Sequence, residues 1–316
     1  MLGQWMEREI DEQPGLLASQ SSIYERRLAD VLHDRRFDMV LLAARGSSDH
    51  AALYARYLIE IHLQIPVVLA APSVLTRYGK RIRYPNCLAV GISQSGSAPD
   101  VSDVLASLRE DGHFTLAITN TPGSRLDGVA EHSIHLNVGE ERSVAATKTY
   151  TATLLALLQL VRVLAHGGGN LSLPDLQWSA VCRSVAESHA KSLVGAEPTF
   201  SLGRGYGFST AHETALKLME CALIPCKAYS TADFEHGPKA LADTGSAIVA
   251  FDRLGDDLVR QGGTVLEAPV PVGPVAEELL PVWQIIYGQW LALACARLKG
   301  ENPDAPQFIQ KVTRTL

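Results

Sequence analysis

Residues 87–97 read Cys87-Leu88-Ala89-Val90-Gly91-Ile92-Ser93-Gln94-Ser95-Gly96-Ser97, an unbroken apolar run that empties into small hydroxyl residues and a glycine. Helical periodicity follows at once, from Asp100 to Glu110. An apolar run bounded by a turn signal fits a strand buried on both faces, and strand, turn and helix in succession form the unit of a parallel sheet covered by helices. The unit recurs upstream, where Met39 to Ala43 ends in Arg45-Gly46-Ser47-Ser48-Asp49 before a helical stretch from His50 to Ile61. Pro66 to Ala70, Phe114 to Thr119 and Ser133 to Leu136 supply three more short apolar runs. The amino terminus reads as helix around Trp5, Met6, Glu9 and Ile10, is interrupted at Gln13-Pro14, and resumes from Ser22 to His33.

Gly167-Gly168-Gly169-Asn170, followed by Leu173-Pro174-Asp175, is the best linker candidate, near the middle of the chain. Beyond it the scheme restarts. Leu176 to Val194 is a helix, Thr199 to Leu202 a strand entering Gly203-Arg204-Gly205-Tyr206-Gly207, and His212 to Ala222 the next helix. Ala247 to Phe251 and Thr264 to Pro269 fit further strands, and Val275 to Leu298 a long helix. The expectation is an α/β protein made of two similar doubly wound, flavodoxin-like parallel sheets with helices on both faces, related by duplication.

Composition narrows the partners. The 316 residues carry 28 Lys and Arg against 34 Asp and Glu, a formal net charge of −6, so bulk charge draws no polyanion and general nucleic-acid binding is disfavoured. A small anion remains open, because backbone N–H groups can hold a phosphate inside an acidic protein. No uninterrupted run reaches the ~20 apolar residues of a membrane span. The longest, Leu154 to Ala165, is broken by Gln159 and Arg162 and reads as a buried helix, and the first ten residues lack a signal peptide's apolar core. Five scattered cysteines, Cys87, Cys182, Cys221, Cys226 and Cys295, fit free thiols in a reducing cytoplasm.

Two turns invite an anion. Ser93-Gln94-Ser95-Gly96-Ser97 and Gly46-Ser47-Ser48 each sit at a strand's carboxyl end and a helix's start, where free N–H groups and hydroxyls suit a phosphate; the bland alternative is a serine serving as helix cap. Gly203-x-Gly205-x-Gly207 lacks the third glycine of a dinucleotide fingerprint, since Phe208 stands where it belongs. On the helix 212–222, Glu213, Lys217 and Glu220 stand at i, i+4 and i+7 on one face, with Ala211, Ala215, Leu218, Met219 and Ala222 on the other. That spacing suits a solvated ion-pair face or a carboxylate that moves a proton beside an ammonium, and does not choose between them. His236 lies in a loop at His236-Gly237-Pro238, whereas His132 and His135, three apart in a strand, face opposite ways and make no metal pair. Neither cofactor nor metal is called for.

Together these pieces resemble the sugar isomerase (SIS) family, specifically the isomerase portion of glutamine–fructose-6-phosphate aminotransferase, over nearly the whole chain. The matching stretches are Arg45-Gly46-Ser47-Ser48, Ser93-Gln94-Ser95-Gly96, Val144-Ala145-Ala146-Thr147-Lys148, Leu202-Gly203-Arg204-Gly205, Ala215 to Glu220, His236-Gly237-Pro238 and Lys311. The resemblance implies N-terminal helices over 1–35, one SIS domain over 36–170, a second over 171–300, and a tail over 301–316 that reaches the active site. It implies that Ser47, Ser48, Ser93, Gln94, Ser95 and Ala145 bind the sugar phosphate. Glu220 would shuttle a proton between C1 and C2 with Lys217 beside it and Glu213 nearby. His236 would assist ring opening from a neighbouring subunit of a homodimer, and Lys311 would contact the open-chain sugar or form an imine with it.

The chain departs from the family pattern at Ala98, where a threonine is usual, at Ala146 in place of serine, and at Glu235 in place of lysine. Position 2 is Leu2, not the cysteine nucleophile of a glutaminase. The wording also resembles the family's stand-alone deaminases, so the expected reaction is glucosamine 6-phosphate plus water to fructose 6-phosphate plus ammonia. The alternatives are a fructosamine-6-phosphate deglycase, a galactosamine-route aldose–ketose isomerase, and a non-catalytic sugar-phosphate sensor. No nucleic-acid or membrane partner is expected.

Overall fold

The computed structural model describes residues 1–255, 257–307 and 309–311. The chain gathers into two compact units, one holding Leu16–Glu140 and Thr149–Leu171, the other Met1–Gly15, Glu141–Lys148 and Ser172–Lys311. Of the tail at 301–316, residues 308 and 312–316 lie outside the described residues. Helix α1 (Gln4–Leu32) supplies residues to both units.

The first unit is built on β1 (Met39–Ala43), β2 (Val67–Leu69), β3 (Cys87–Ile92), β4 (Phe114–Thr119) and β5 (His132–His135), all parallel, in the order β2-β1-β3-β4-β5. Its helices are α2 (Ser47–His62), α3 (Ser73–Thr76), α4 (Pro99–Glu110), α5 (Arg125–Val129) and most of α6 (Lys148–Leu164). β1, β3 and β4 are buried at every position, as their continuous apolar runs require. Met39, Leu41 and Ala43 of β1 join Val101, Leu105 and Leu108 of α4 in one cluster. The chain leaves β1 towards β2 and leaves β3 towards β4, so the strand order reverses between β1 and β3. Open α/β sheets bind ligands at the crevice this creates.

The second unit repeats the plan with β6 (Thr199–Gly203), β7 (Cys226–Ser230), β8 (Ala247–Ala250) and β9 (Thr264–Glu267), parallel and ordered β7-β6-β8-β9. This is the order of the first four strands of the other sheet. Its helices are α7 (Leu176–Leu193), α8 (Gly207–Ala222), α9 (Thr231–Glu235), α10 (Asp257–Arg260) and α11 (Leu280–Lys299).

Three local features depart from the sequence reading. β7 was not anticipated: it is an edge strand preceded by Pro225, and exposed Lys227 between buried Cys226 and Ala228 breaks its apolar run. α1 runs straight through Pro14. Proline has no N–H for the carbonyl four residues back, but the Gln13 side-chain amide donates to that carbonyl, Ile10 O, at 3.2 Å. Finally, α11 is long and apolar enough to pass for a membrane span, which a search for uninterrupted runs missed because Gln284 and Gln289 punctuate it. It is buried from Pro281 to Ala296, as befits a central helix that is apolar all round.

α11 meets α8 at a point of close approach, where a Cβ on Gly288 would stand 2.2 Å from Thr214 Oγ1. Gly288→Ala should therefore cost about 1–3 kcal/mol by overpacking. Thr214→Ala should recover part of that loss in the double variant, as read by denaturant unfolding of all three variants; equal stability of Gly288→Ala and the parent would disprove the close contact.

Candidate functional site

At the β1/β3 switch point, both strands empty into turns of hydroxyl and N–H donors, some of which have no partner among the described residues. Gly46 is the N-cap of α2 and Ala98 that of α4, and neither makes a side-chain capping bond. By contrast, Ser124 caps α5 through Asp127 N–H, and Asp175 caps α7 through Trp178 N–H. The serines of the two turns are thus not helix caps. In the two turns the N–H groups of Ser47, Gln94 and Ser95 have no partner among the described residues, with the positive ends of the α2 and α4 dipoles behind them. Those of Ser48, Asp49 and His50 donate to Arg45 O and Gly46 O, and those of Val101 and Ser102 to Asp100 Oδ1 and Ala98 O. Among the described residues, the hydroxyls of Ser47, Ser48 and Ser93 have no hydrogen-bond partner. Hydroxyls and free N–H groups converging on one strand-end crevice form a cradle for a dianionic phosphate.

The second turn is held rigidly. Gln94 O accepts Asn120 N–H at 3.0 Å and the Thr119 hydroxyl at 3.2 Å. Ser95 Oγ accepts Ser97 N–H at 3.3 Å, and the Ser97 hydroxyl donates to Ser95 O at 3.2 Å, so Ser97 braces the turn and does not replace the hydroxyl missing at Ala98. Gly96 has φ +61°, and a Cβ there would lie 1.9 Å from Ser124 Oγ, so only glycine fits. Sequence reading missed a cross-brace between the two turns: Arg45 Nε donates to Asp100 Oδ2 at 2.7 Å, with the Asp100 carboxylate buried at the start of α4. The signal was an arginine directly after one strand and an acid in the first turn of the other strand's helix.

On α8, the face bearing Glu213, Lys217 and Glu220 is buried, so it is no solvated ion-pair stripe. Met219, expected on the apolar face, is the exposed residue instead. Lys217 Nζ lies 2.5 Å from Glu220 Oε2 and 3.4 Å from Glu213 Oε1. Burial alone would favour a neutral amine at Lys217, but the charges of Glu213 and Glu220 more than offset it and hold the pKa above the usual lysine range. Glu213 and Lys217 are sealed off, whereas the Glu220 side chain keeps 27% of its surface accessible. The geometry thereby separates their roles: Glu213 is a buried counter-ion, Lys217 a fixed cation, and Glu220 the carboxylate able to meet a substrate.

The Val144-to-Lys148 stretch continues a loop from Glu141. Ala145 is buried, and Lys311 reaches this loop, its Nζ 2.5 Å from Glu141 Oε2 and 2.7 Å from Ser143 O. Sequence reading did not foresee Glu141 or its neighbour Glu9, because neither belongs to a spacing pattern of its own. His236 caps the carboxyl end of α9; its imidazole is exposed and makes no side-chain hydrogen bond among the described residues. Glu235, where the family pattern has lysine, pairs with Lys239 at 2.7 Å. His132 and His135 have separate neighbours: His132 stacks on Phe114, and His135 meets Asp127 at 3.0 Å.

Comparison with known proteins bears on this arrangement. Residues 35–163 match the family model for the SIS domain. Glutamine–fructose-6-phosphate aminotransferase [isomerizing] of Chlamydia pneumoniae is 31% identical over 356 residues, covering 98% of this chain and 58% of that protein. The enzyme of the same name from Pyrococcus horikoshii is 29% identical, covering 97% and 57%. The chain therefore spans less than three-fifths of the length of these curated relatives. Among solved structures, a protein from Silicibacter pomeroyi DSS-3 described as a phosphosugar isomerase superposes with a TM-score of 0.82 at 30% identity, covering 96% of this chain and 100% of its own. Glucosamine-6-phosphate deaminase from Thermotoga maritima shares the fold, with a TM-score of 0.77 at 23% identity, covering 96% and 100%.

The buried triad on α8 gives a stability prediction. Lys217→Met strands the Glu213 carboxylate without its cation and should cost about 3–5 kcal/mol. Adding Glu213→Gln should return much of the loss. Urea unfolding of the single and double variants measures both effects, and a double variant as weak as the single would show that the two side chains do not depend on each other.

Proposed function

The chain belongs to the SIS (sugar isomerase) family, and from that premise we propose that it is an amino-sugar-phosphate deaminase/isomerase converting glucosamine 6-phosphate and water to fructose 6-phosphate and ammonia. The observation that carries the reading is the solvent-accessible Glu220 carboxylate locked at 2.5 Å on a buried ammonium. A fixed carboxylate beside a fixed cation is what an aldose–ketose proton transfer needs: a base for the carbon acid and positive charge for the enediol-like intermediate.

In this reading, the hydroxyls and N–H groups of Ser47, Ser48, Ser93, Gln94 and Ser95 grip the phosphate, and Ala145 lies along the sugar. His236 opens the ring; its exposure, and the absence of a side-chain hydrogen bond to it among the described residues, support donation to a neighbouring copy in a homodimer. Glu220 takes the proton from C2 of the open-chain amino sugar and returns it to C1, leaving a C2 imine. Water adds to C2, ammonia departs, and the ketose phosphate remains. Lys311 engages the open chain. The aminotransferase named among the relatives places nitrogen on C2 of the same sugar, and a catalyst lowers the barrier of a shared path in both directions. Release needs only water as co-substrate.

The direct test is ammonia release from a panel of hexosamine 6-phosphates and fructosamine 6-phosphates. Release from glucosamine 6-phosphate supports the reading, and release from fructosamine derivatives alone points to a deglycase. Ketose formation without ammonia points to a plain isomerase, and tight binding without turnover to a sensor. Glu220→Gln should keep sugar-phosphate binding while turnover falls by about 10²–10⁴; unchanged turnover removes Glu220 from the mechanism. Ser95→Ala should chiefly raise KM, and an effect confined to kcat would count against a ground-state phosphate contact.

A further inference from the structure

One face of α1 holds the 141–148 loop at three points. Glu9, Glu12 and Gln13 stand at i, i+3 and i+4, so their side chains share a face. Glu12 Oε2 accepts the Lys148 ammonium at 2.7 Å. Gln13 donates to Gln289 Oε1 at 2.6 Å, and Gln289 in turn donates to Thr147 O at 3.2 Å. Glu9 is the least expected of the three, a carboxyl only 2% exposed. It accepts the backbone N–H groups of Arg142 and, at 3.3 Å, of Ser143. The Thr147 hydroxyl lies between two acids, 3.5 Å from Glu9 Oε2 and 3.1 Å from Glu141 Oε1. Glu141, fully buried, and Ser143 O then hold the Lys311 ammonium. Ser143 thus offers its N–H to Glu9 and its carbonyl to Lys311.

We propose that Glu9 is a positioning residue for Lys311: it shapes the turn on which the ammonium rests and, as a second carboxyl beside Glu141, sets how firmly that ammonium is held. The charged groups facing Glu9 are Glu141 and Lys311. Arg142 turns its guanidinium over the Trp5 ring, and Lys148 is engaged by Glu12. Burial first, and then the charge of Glu141, push the Glu9 carboxyl up to about 7, against the pull of the Arg142 and Ser143 N–H groups and of Lys311. As pH rises through neutrality, Glu9 therefore adds a negative charge beside Glu141 and the Lys311 ammonium. Folding favours the neutral carboxyl, so this contribution to stability is complete below the ordinary glutamate pKa and is lost as pH rises through about 7. The catalytic consequence, that Glu9 governs how readily Lys311 becomes a free amine near neutral pH, rests on the proposed role of Lys311 at the sugar; the placement of the ammonium does not.

The experiment acylates the intact protein with acetic anhydride over a range of pH and follows the Lys311 peptide by mass spectrometry, which requires no turnover. Glu9→Gln keeps an oxygen for the two N–H donors and removes the charge. Above neutrality its Lys311 should label about three- to tenfold faster than in the parent, the effect of removing one nearby negative charge from the ammonium. In the parent, the logarithm of the labelling rate should fall below its unit-slope rise by a comparable amount on crossing neutrality, a step in an otherwise straight line. Superimposable curves for parent and variant overturn the proposal. Should the variant not fold, a parent profile that rises with unit slope and no step overturns it equally. If the labelling shift appears while no sugar phosphate is turned over, Glu9 positions Lys311 as argued and the functional reading is what fails.

Discussion

The interaction on which the second unit depends is the contact of one ammonium, Lys217, with two carboxylates within two turns of one helix. Removed from water, the Lys217 ammonium and the Glu213 carboxylate would each be costly alone, and Glu220 adds a second, partly accessible carboxylate to the same cation. Together they are affordable only where the helix lies against a continuous apolar neighbour. α11 provides this, with sixteen consecutive buried residues and a glycine at the point of closest approach. The Glu220 carboxylate is thus fixed by a chain of requirements running from an apolar helix through a buried cation to an accessible oxygen. Its position is set by packing, and substrate need not organise it.

A second constraint acts through α1. A helix interrupted by proline would ordinarily bend or end there, and the face carrying Glu9, Glu12 and Gln13 would lose its register. Gln13 prevents this by supplying the missing donor to Ile10 O while its other hydrogen reaches Gln289. One side-chain amide both mends the helix and ties it to the loop that α1 organises. The loop itself has almost no regular structure, so its shape comes from these side-chain acceptors for its backbone N–H groups.

Much of this was legible in the sequence wherever an element is buried on both faces. β1, β3 and β4 stand out as uninterrupted apolar runs, and the turns after them carry serine and glycine because the chain must turn sharply where hydroxyls are useful. β7 was hidden because an edge strand has one wet side and needs no such run. The α8 triad could be seen as a face but not assigned, since spacing says which side chains are neighbours and nothing about whether water reaches them. Glu9, Glu141, Arg45 and Asp100 were invisible for a different reason. Each acts through a partner distant in the sequence, as with the fifty-five positions between Arg45 and Asp100, and no local period records such a pair.

The two sheets share their strand order yet differ at the switch point, and the difference favours the first of them for the phosphate of the proposed reaction. After β1 and β3 the turns open: Gly46 has nothing within 4 Å of where a Cβ would be, and the helix starts are uncapped. After β6 the turn folds back closely at its start, where a Cβ on Gly203 would lie only 2.3 Å from Gly207 O. Just after β8 stands Asp252, whose carboxylate accepts Arg253 N–H at 2.8 Å and faces the Thr231 hydroxyl at 3.5 Å, placing negative charge where the first sheet has neutral donors. A phosphate dianion would be repelled there and attracted at the first sheet. The helix after the first strand then serves each sheet differently: α2 offers its open amino terminus, while α8 offers the charged side of its last two turns. One repeated topology thus presents donors at helix starts in one unit and a buried charged flank of a helix in the other, the two features on which the proposed function draws.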